Sequence, residues 1–339
     1  MTTVTVRGAG IFGLSVAWFC LKAGARVRVV DPAGVAAGAS GGLVGALSPH
    51  SPDRWSEVKA FQLRSLVAAR TFWPEVDAVT GLRSGYGPVP RVRPLPDADA
   101  VARARELARE AARNWGEAGA WTLVEADDWA PSATGLAVRD TLSARLHPAR
   151  ATLSLAEALR RCGVEIVPEA RDEGAVVWAA GHAGLADLSR RRAREAGRGI
   201  KGQAATLGFD ARGFPQVQAD GIYIVPHEDA TVGVGSTTER DWTTPEPDAQ
   251  LDEVITRARA ICPALAGAPV LRRWAGIRPR ARSRAPMLGT WPDRPGHYVA
   301  NGGFKIGFGV AVEVGRLMAD LVVRNRDAIP TPFRVEASL

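Results

Sequence analysis

The chain has 339 residues, 46% of them hydrophobic and 23% charged, which is ordinary globular composition and excludes a mainly disordered protein. Its formal charge of +7 raises the question of an anionic partner, yet the basic residues are scattered along the chain, and Arg190, Arg191 and Arg192 form the densest run. Cys20, Cys162 and Cys262 are odd in number and widely spaced, so neither a disulfide framework nor a zinc site is indicated, and no run approaches the ~18 apolar residues of a membrane span. A reducing, cytoplasmic setting is expected.

In chain order, residues 3–6 alternate with β-branched side chains and read as a buried strand. Gly8-Ala9-Gly10-Ile11-Phe12-Gly13 follows at once, then a helix over 11–23 that stops at Gly24. A second strand over 26–30 ends in Asp31. This is a βαβ opening with the glycine spacing of a dinucleotide site: Gly8 for the tight turn, Gly10 to admit the pyrophosphate and Gly13 for close packing of helix on strand. Asp31 is placed to accept ribose hydroxyls. Because this unit begins at residue 4, the substrate-binding part is expected as later insertions.

A small-residue loop, Gly38-Ala39-Ser40-Gly41-Gly42-Leu43, comes next, then a helix over 54–72. Glycine and proline break the pattern over 81–96, and a helix rich in alanine and arginine is expected over 98–116. The spacing predicts a helix over 153–161 and buried strands over 163–167 and 175–181, the second ending in a small-residue turn at Gly181. From 202 onward short strands are expected over 203–208, 221–225 and 231–235, a helix over 249–261, and a strand over 270–273. A last strand over 298–300 leads into Asn301-Gly302-Gly303-Phe304-Lys305-Ile306-Gly307 and an apolar helix over 310–323. Glycines there let backbone approach a flat ring, and a helix start offers free N–H groups. Only four of the 43 cations are lysines, so Lys305 inside this motif stands out.

With those pieces in order, the chain resembles the D-amino-acid oxidase superfamily of flavoproteins, nearest its glycine oxidase and sarcosine oxidase branch. The resemblance rests on the N-terminal glycine motif with Asp31, on Gly38 to Gly42, and on Val176-Val177-Trp178-Ala179-Ala180-Gly181. It continues in Tyr223-Ile224-Val225-Pro226, Val234-Gly235-Ser236-Thr237, Trp274-Ala275-Gly276-Ile277-Arg278-Pro279 and the late glycine loop.

What the resemblance implies is an α/β fold: a Rossmann-like FAD-binding domain (1–80, 140–200, 280–339) with a discontinuous antiparallel-sheet substrate domain (81–139, 201–279). It implies FAD held by Gly8, Gly10, Ile11, Phe12, Gly13, Asp31, Ser40, Gly41, Gly42, Leu43, Gly181, Gly302, Gly303, Phe304, Lys305 and Ile306. Residues 280–288 contain no cysteine, so the flavin is expected to be non-covalent. The implied reaction oxidises the C–N bond of a small amino acid or N-substituted amino acid by hydride transfer to the flavin, giving an imine that hydrolyses. Arg278 would grip the substrate carboxylate, and Tyr223 would line the pocket. Lys305 suits two roles, either aiding the carboxylate or stabilising negative charge on the reduced flavin.

Oxygen or another acceptor would reoxidise the flavin, and a homo-oligomer is compatible with the sequence. His50, His182 and His227 carry no metal spacing and read as structural. The alternative reading is a flavin enzyme that demodifies a tRNA wobble base, against which the arginines are spread over several helices.

Overall fold

The computed structural model describes all residues, 1–339. Its first sheet is built from β1 (Thr3–Arg7), β2 (Arg26–Val30), β8 (Glu165–Val167), β9 (Ala175–Trp178), β15 (Met287–Thr290) and β16 (His297–Asn301), in the order β15-β16-β9-β1-β2-β8. Every neighbouring pair is parallel except β15 with β16. Val4, Val6, Val29 and Val177 are fully buried, as expected for strands covered on both faces. Helices α1 (Ile11–Lys22), α2 (Glu57–Thr80), α4 (Pro148–Arg161) and α7 (Gly307–Arg324) share the large core with this sheet. Helix α5 (Gly181–Arg192) packs beside β16 and the end of the second sheet.

The second sheet has eight strands: β4 (Arg91–Pro94), β5 (Trp121–Glu125), β6 (Leu136–Asp140), β10 (Gly197–Gly208), β11 (Gln216–Ala219), β12 (Ile222–Pro226), β13 (Thr231–Gly235) and β14 (Val270–Ala281). Their order is β14-β10-β13-β12-β11-β4-β6-β5. The expected antiparallel sheet needs one amendment, because β4 runs parallel to β11 where the earlier inserted segment joins the later one. Helix α6 (Gln250–Ile261) covers this sheet over a separate core of Val217, Ile224, Val232 and Leu251, and α3 (Ala98–Trp115) lies against β5. A two-stranded ladder, β3 (Ala46–Leu47) with β7 (Ala144–Arg145), ties the small-residue loop to the start of α4.

Several boundaries differ from the sequence reading, each for a packing reason. Helix α2 passes through Pro74 to Thr80 because Trp73 and Val76 are buried beyond the expected stop, and Gly81 in the left-handed region ends it. Helix α4 starts at Pro148, with the proline in the first turn where its missing N–H costs nothing. Strand β14 continues through Gly276 and Pro279 to Ala281, since it is the sheet's edge and a proline there forfeits no central hydrogen bond. That extension puts Arg278 on a strand instead of in a loop.

Candidate active site

One cavity of about 760 Å³ runs between the two sheets, near the upper end of the ~300–1,000 Å³ common for ligand pockets. At its first end the backbone of β1 turns into α1. A Cβ at Gly13 would lie 1.9 Å from the Gly8 carbonyl oxygen, and one at Gly8 would lie 2.4 Å from that of Ala179. Both glycines are thus consumed by the contact of helix with strands. The Ile11 N–H donates to Ser40 Oγ at 2.9 Å, which docks the small-residue loop against the helix start. The Asp31 carboxylate accepts the N–H groups of Ala9 (2.7 Å) and Ala33 (3.0 Å), so it braces the turn while still facing the cavity.

The loop after Gly42 crosses to the second sheet. A Cβ on Gly233 would sit 2.3 Å from the Leu43 carbonyl, and one on Gly235 would sit 2.7 Å from Val44 Cγ2, so β13 lets this loop lie directly on it. Trp274 folds over Gly276, whose Cβ would lie 2.3 Å from its ring, and rests against Gly42. Tyr223 projects from β12 onto the cavity wall while Ile222 and Ile224 point into the core, as the period of two requires.

At the far end, β14 and the late glycine loop meet. Arg280 and Gly303 form an isolated bridge, and the Phe304 N–H donates to the Pro279 carbonyl at 2.9 Å. Arg278 and Lys305 thereby face the same cavity. The Arg278 guanidinium donates to the Thr237 carbonyl (3.0 Å) and Ser236 Oγ (2.8 Å), both neutral, and makes no ion pair. Burial pulls its pKa down to about 10, with Glu239 opposing, so it stays charged at neutral pH. Lys305 has its pKa lowered, first by burial and then by the nearby Arg278. Two unpaired cations in one cavity are complementary to an anionic group.

Of the expected site residues, Gly8, Gly10, Ile11, Phe12, Asp31, Ser40, Gly42, Leu43, Gly181, Tyr223, Arg278, Gly303, Phe304, Lys305 and Ile306 line this cavity. Gly41 and Gly302 are corrections, because they are not on its wall; Gly13 is off the wall too, in the packing role that its spacing predicts. Gly13 packs on Gly8, a Cβ at Gly41 would meet the Ala36 carbonyl at 2.5 Å, and one at Gly302 would meet Ala281 Cβ at 2.8 Å. Gln62, Ser48, Val44, Trp274 and Ser236 also line the cavity and were not singled out as site residues. Gln62 sits inside α2 with no local motif, held by the His50 N–H and the Ser48 carbonyl. His227 has a structural contact: it pins the crossing loop through Nε2 to the Val44 carbonyl at 3.0 Å.

The cradle fits FAD on its own geometry: a helix N-terminus with glycine clearance, an acid at the end of β2, and a glycine loop with a cation at the opposite end. A model of the FAD dependent oxidoreductase family matches residues 3–321. The chain is 24% identical to glycine oxidase of Bacillus licheniformis, over 94% of this chain and 92% of that protein. It is 29% identical to a putative thiamine biosynthesis oxidoreductase, ThiO, of Rhizobium etli, over 90% and 91%. The fold is similar to that of glycine oxidase from Geobacillus kaustophilus, with a TM-score of 0.87 at 22% identity over 99% of both chains. It is also similar to iminodiacetate oxidase from Chelativorans sp. BNC1, with a TM-score of 0.82 at 21% identity over 98% of both. From the family match over nearly the whole chain, with the cavity that accompanies it, the protein belongs to the D-amino-acid oxidase (DAO) family of FAD dependent oxidoreductases.

Proposed function

We propose that this enzyme oxidises the C–N bond of a small amino acid or N-substituted amino acid of the glycine, sarcosine or D-amino acid type, giving an imine that water hydrolyses. The observation that carries the reading is Arg278: a guanidinium on the cavity wall, oriented by two neutral acceptors, with no carboxylate of its own. A planar fork of this kind matches a carboxylate with two parallel hydrogen bonds, which fixes the α-carbon in one place. Bound FAD supplies the hydride acceptor that no side chain can offer. The chain's own task is then position and field. Arg278 anchors the carboxylate, Lys305 adds positive potential beside it, and Tyr223 and Trp274 wall the pocket and exclude water. Similarity to glycine oxidases supports the substrate class.

Non-covalent attachment of FAD is supported by the cavity lining, which contains none of the three cysteines. Oxygen is the acceptor suggested by the oxidases among the relatives. No helix is long and apolar enough to cross a membrane, and three free thiols suit the cytoplasm. The tRNA reading gains no support, because several arginines of α3 and α5 are paired with neighbouring acids, as in Arg103 with Glu106 and Arg191 with Asp187.

The test is to purify the protein, record its visible spectrum, and add glycine, sarcosine and a set of D-amino acids without oxygen. Bleaching of the flavin band by one of them is expected. A yellow protein that no amine bleaches would overturn the reading.

A further inference from the structure

Behind Arg278, on the side away from the cavity, lies an ion cluster that is buried at Lys201 and Glu239 and reaches the surface at Asp248. Lys201 on β10 is 2% exposed; its Nζ donates to Asp248 Oδ2 at 2.5 Å and lies 3.4 Å from Glu239 Oε2. Gln203, on the same strand face, donates to Glu239 Oε1 at 2.9 Å and to Asp248 Oδ1 at 2.7 Å. The backbones of Lys201 and Glu239 exchange hydrogen bonds of 3.0 and 2.9 Å. Thr237 joins this cluster to the site. Its Oγ1 donates to Glu239 and accepts the Gln203 N–H at 2.9 Å, while its carbonyl accepts Arg278 Nη1 at 3.0 Å. Beneath the guanidinium, Gly202 leaves the necessary room: a Cβ there would lie 2.0 Å from Arg278 Cζ.

Such a cluster is a poor device for stability alone. Hidden charges surrender hydration that their mutual attraction repays only with good geometry, and apolar residues of the same volume do as well or better. This one holds one more acid than base, and Glu239 is the acid whose charge favours the Arg278 cation. Neither Lys201, Gln203, Glu239 nor Asp248 touches the cavity. Their side chains connect to it through the segment 236–239, whose two acceptors hold the Arg278 fork.

We infer that Glu239 and Thr237 are positioning residues: through the Lys201–Glu239–Asp248 cluster they lock residues 236–239, so that the Arg278 fork is preset for a substrate carboxylate. This rests on the reading of Arg278 as the carboxylate anchor. A preset fork loses no orientational freedom on binding, whereas an unlocked one must be ordered by the ligand each time.

The experiment uses the FAD-loaded enzyme and acetate as an unreactive probe, titrated by the change it causes in the visible spectrum. Thr237→Val keeps shape and every charge but removes the hydroxyl link, and Glu239→Gln removes the counter-charge. Each is expected to weaken acetate by about tenfold and to raise KM for the reactive amino acid by a similar factor with kcat nearly unchanged. Thr237→Ser, which restores the hydroxyl, is expected to titrate like the native enzyme. If Thr237→Val and Glu239→Gln bind acetate normally while Arg278→Met does not, the positioning role is wrong and the anchor stands. If Arg278→Met also binds acetate normally, the anchor reading itself fails and takes this inference with it. Should Glu239→Gln not fold, Thr237→Val alone decides the outcome.

Discussion

Arg278 and Lys305 are the two cations at the far end of the cavity, and they differ in what substitution should do. Replacing Arg278 with lysine keeps the charge but loses the fork, so kcat/KM should fall by roughly 10- to 100-fold, the worth of one charge-assisted hydrogen bond. Steady-state kinetics on the amino acid that reduces the enzyme measure this. Lys305 has a folded pKa below the ordinary 10.5, so between those two values the unfolded chain binds more protons than the folded one. Its unfavourable contribution at neutral pH therefore relaxes as pH rises. The same titration removes a cation from the cavity, so KM should climb on the alkaline side below pH 10.5. Lys305→Met should show a higher KM at neutral pH and a smaller climb, the remainder belonging to Arg278, which a pH series of KM would reveal. Legibility at this scale was uneven. Arg278 and Lys305 stand in motifs that can be read, whereas Gln62 reaches the site only through contacts with another segment.

Elements decide how those residues are presented. The start of α1 packs on β1 so tightly that Gly13→Ala must push the helix away from the Gly8 carbonyl, an overpacking worth about 1–3 kcal/mol. A lower melting temperature and weaker FAD binding are expected, the second measured by recovery of flavin fluorescence. The crossing loop after Gly42 is held by His227, whose ring lies 5.0 Å from that of His147. Burial, and then the neighbouring His227, push the His147 pKa down to about 4 from 6.5, and burial lowers His227 too. In that window the unfolded state takes up protons that the folded state refuses, so stability should decline as pH falls from about 6.5 toward 4. His147→Gln should flatten the decline in a series of melting curves. Helix α2 shows why element boundaries were hard to read: Pro74 argues for a stop, and burial of Trp73 and Val76 overrides it.

At the scale of the whole molecule, two sheets share one cavity because the chain crosses between them repeatedly. The second sheet is assembled from two separate stretches of sequence, and its seam runs through β4. There Arg91, almost fully buried, pairs with Asp140 at 2.8 Å and with Gln218 at 2.7 Å. Breaking the pair by Asp140→Ala leaves a buried cation without its carboxylate and should cost about 3–5 kcal/mol in denaturant unfolding. Wild-type stability in that variant would show that the seam is held by apolar contacts instead.

By itself the sequence determined the βαβ opening, the glycine spacing at both ends of the cofactor cradle, and the residue types of the chemistry. Those features are local: a turn that forbids a side chain, a helix start, or an alternating strand leaves its mark within a few consecutive residues. Only the tertiary structure decided which glycines of the small-residue loop face the cavity, since Gly41 and Gly42 are neighbours yet only the second lines the wall. It also decided that Arg278 lies on an edge strand, within the field of Lys305 and in front of an ion cluster from three other segments. Burial and pairing depend on distances between residues far apart in the chain, and no periodicity in the sequence encodes them.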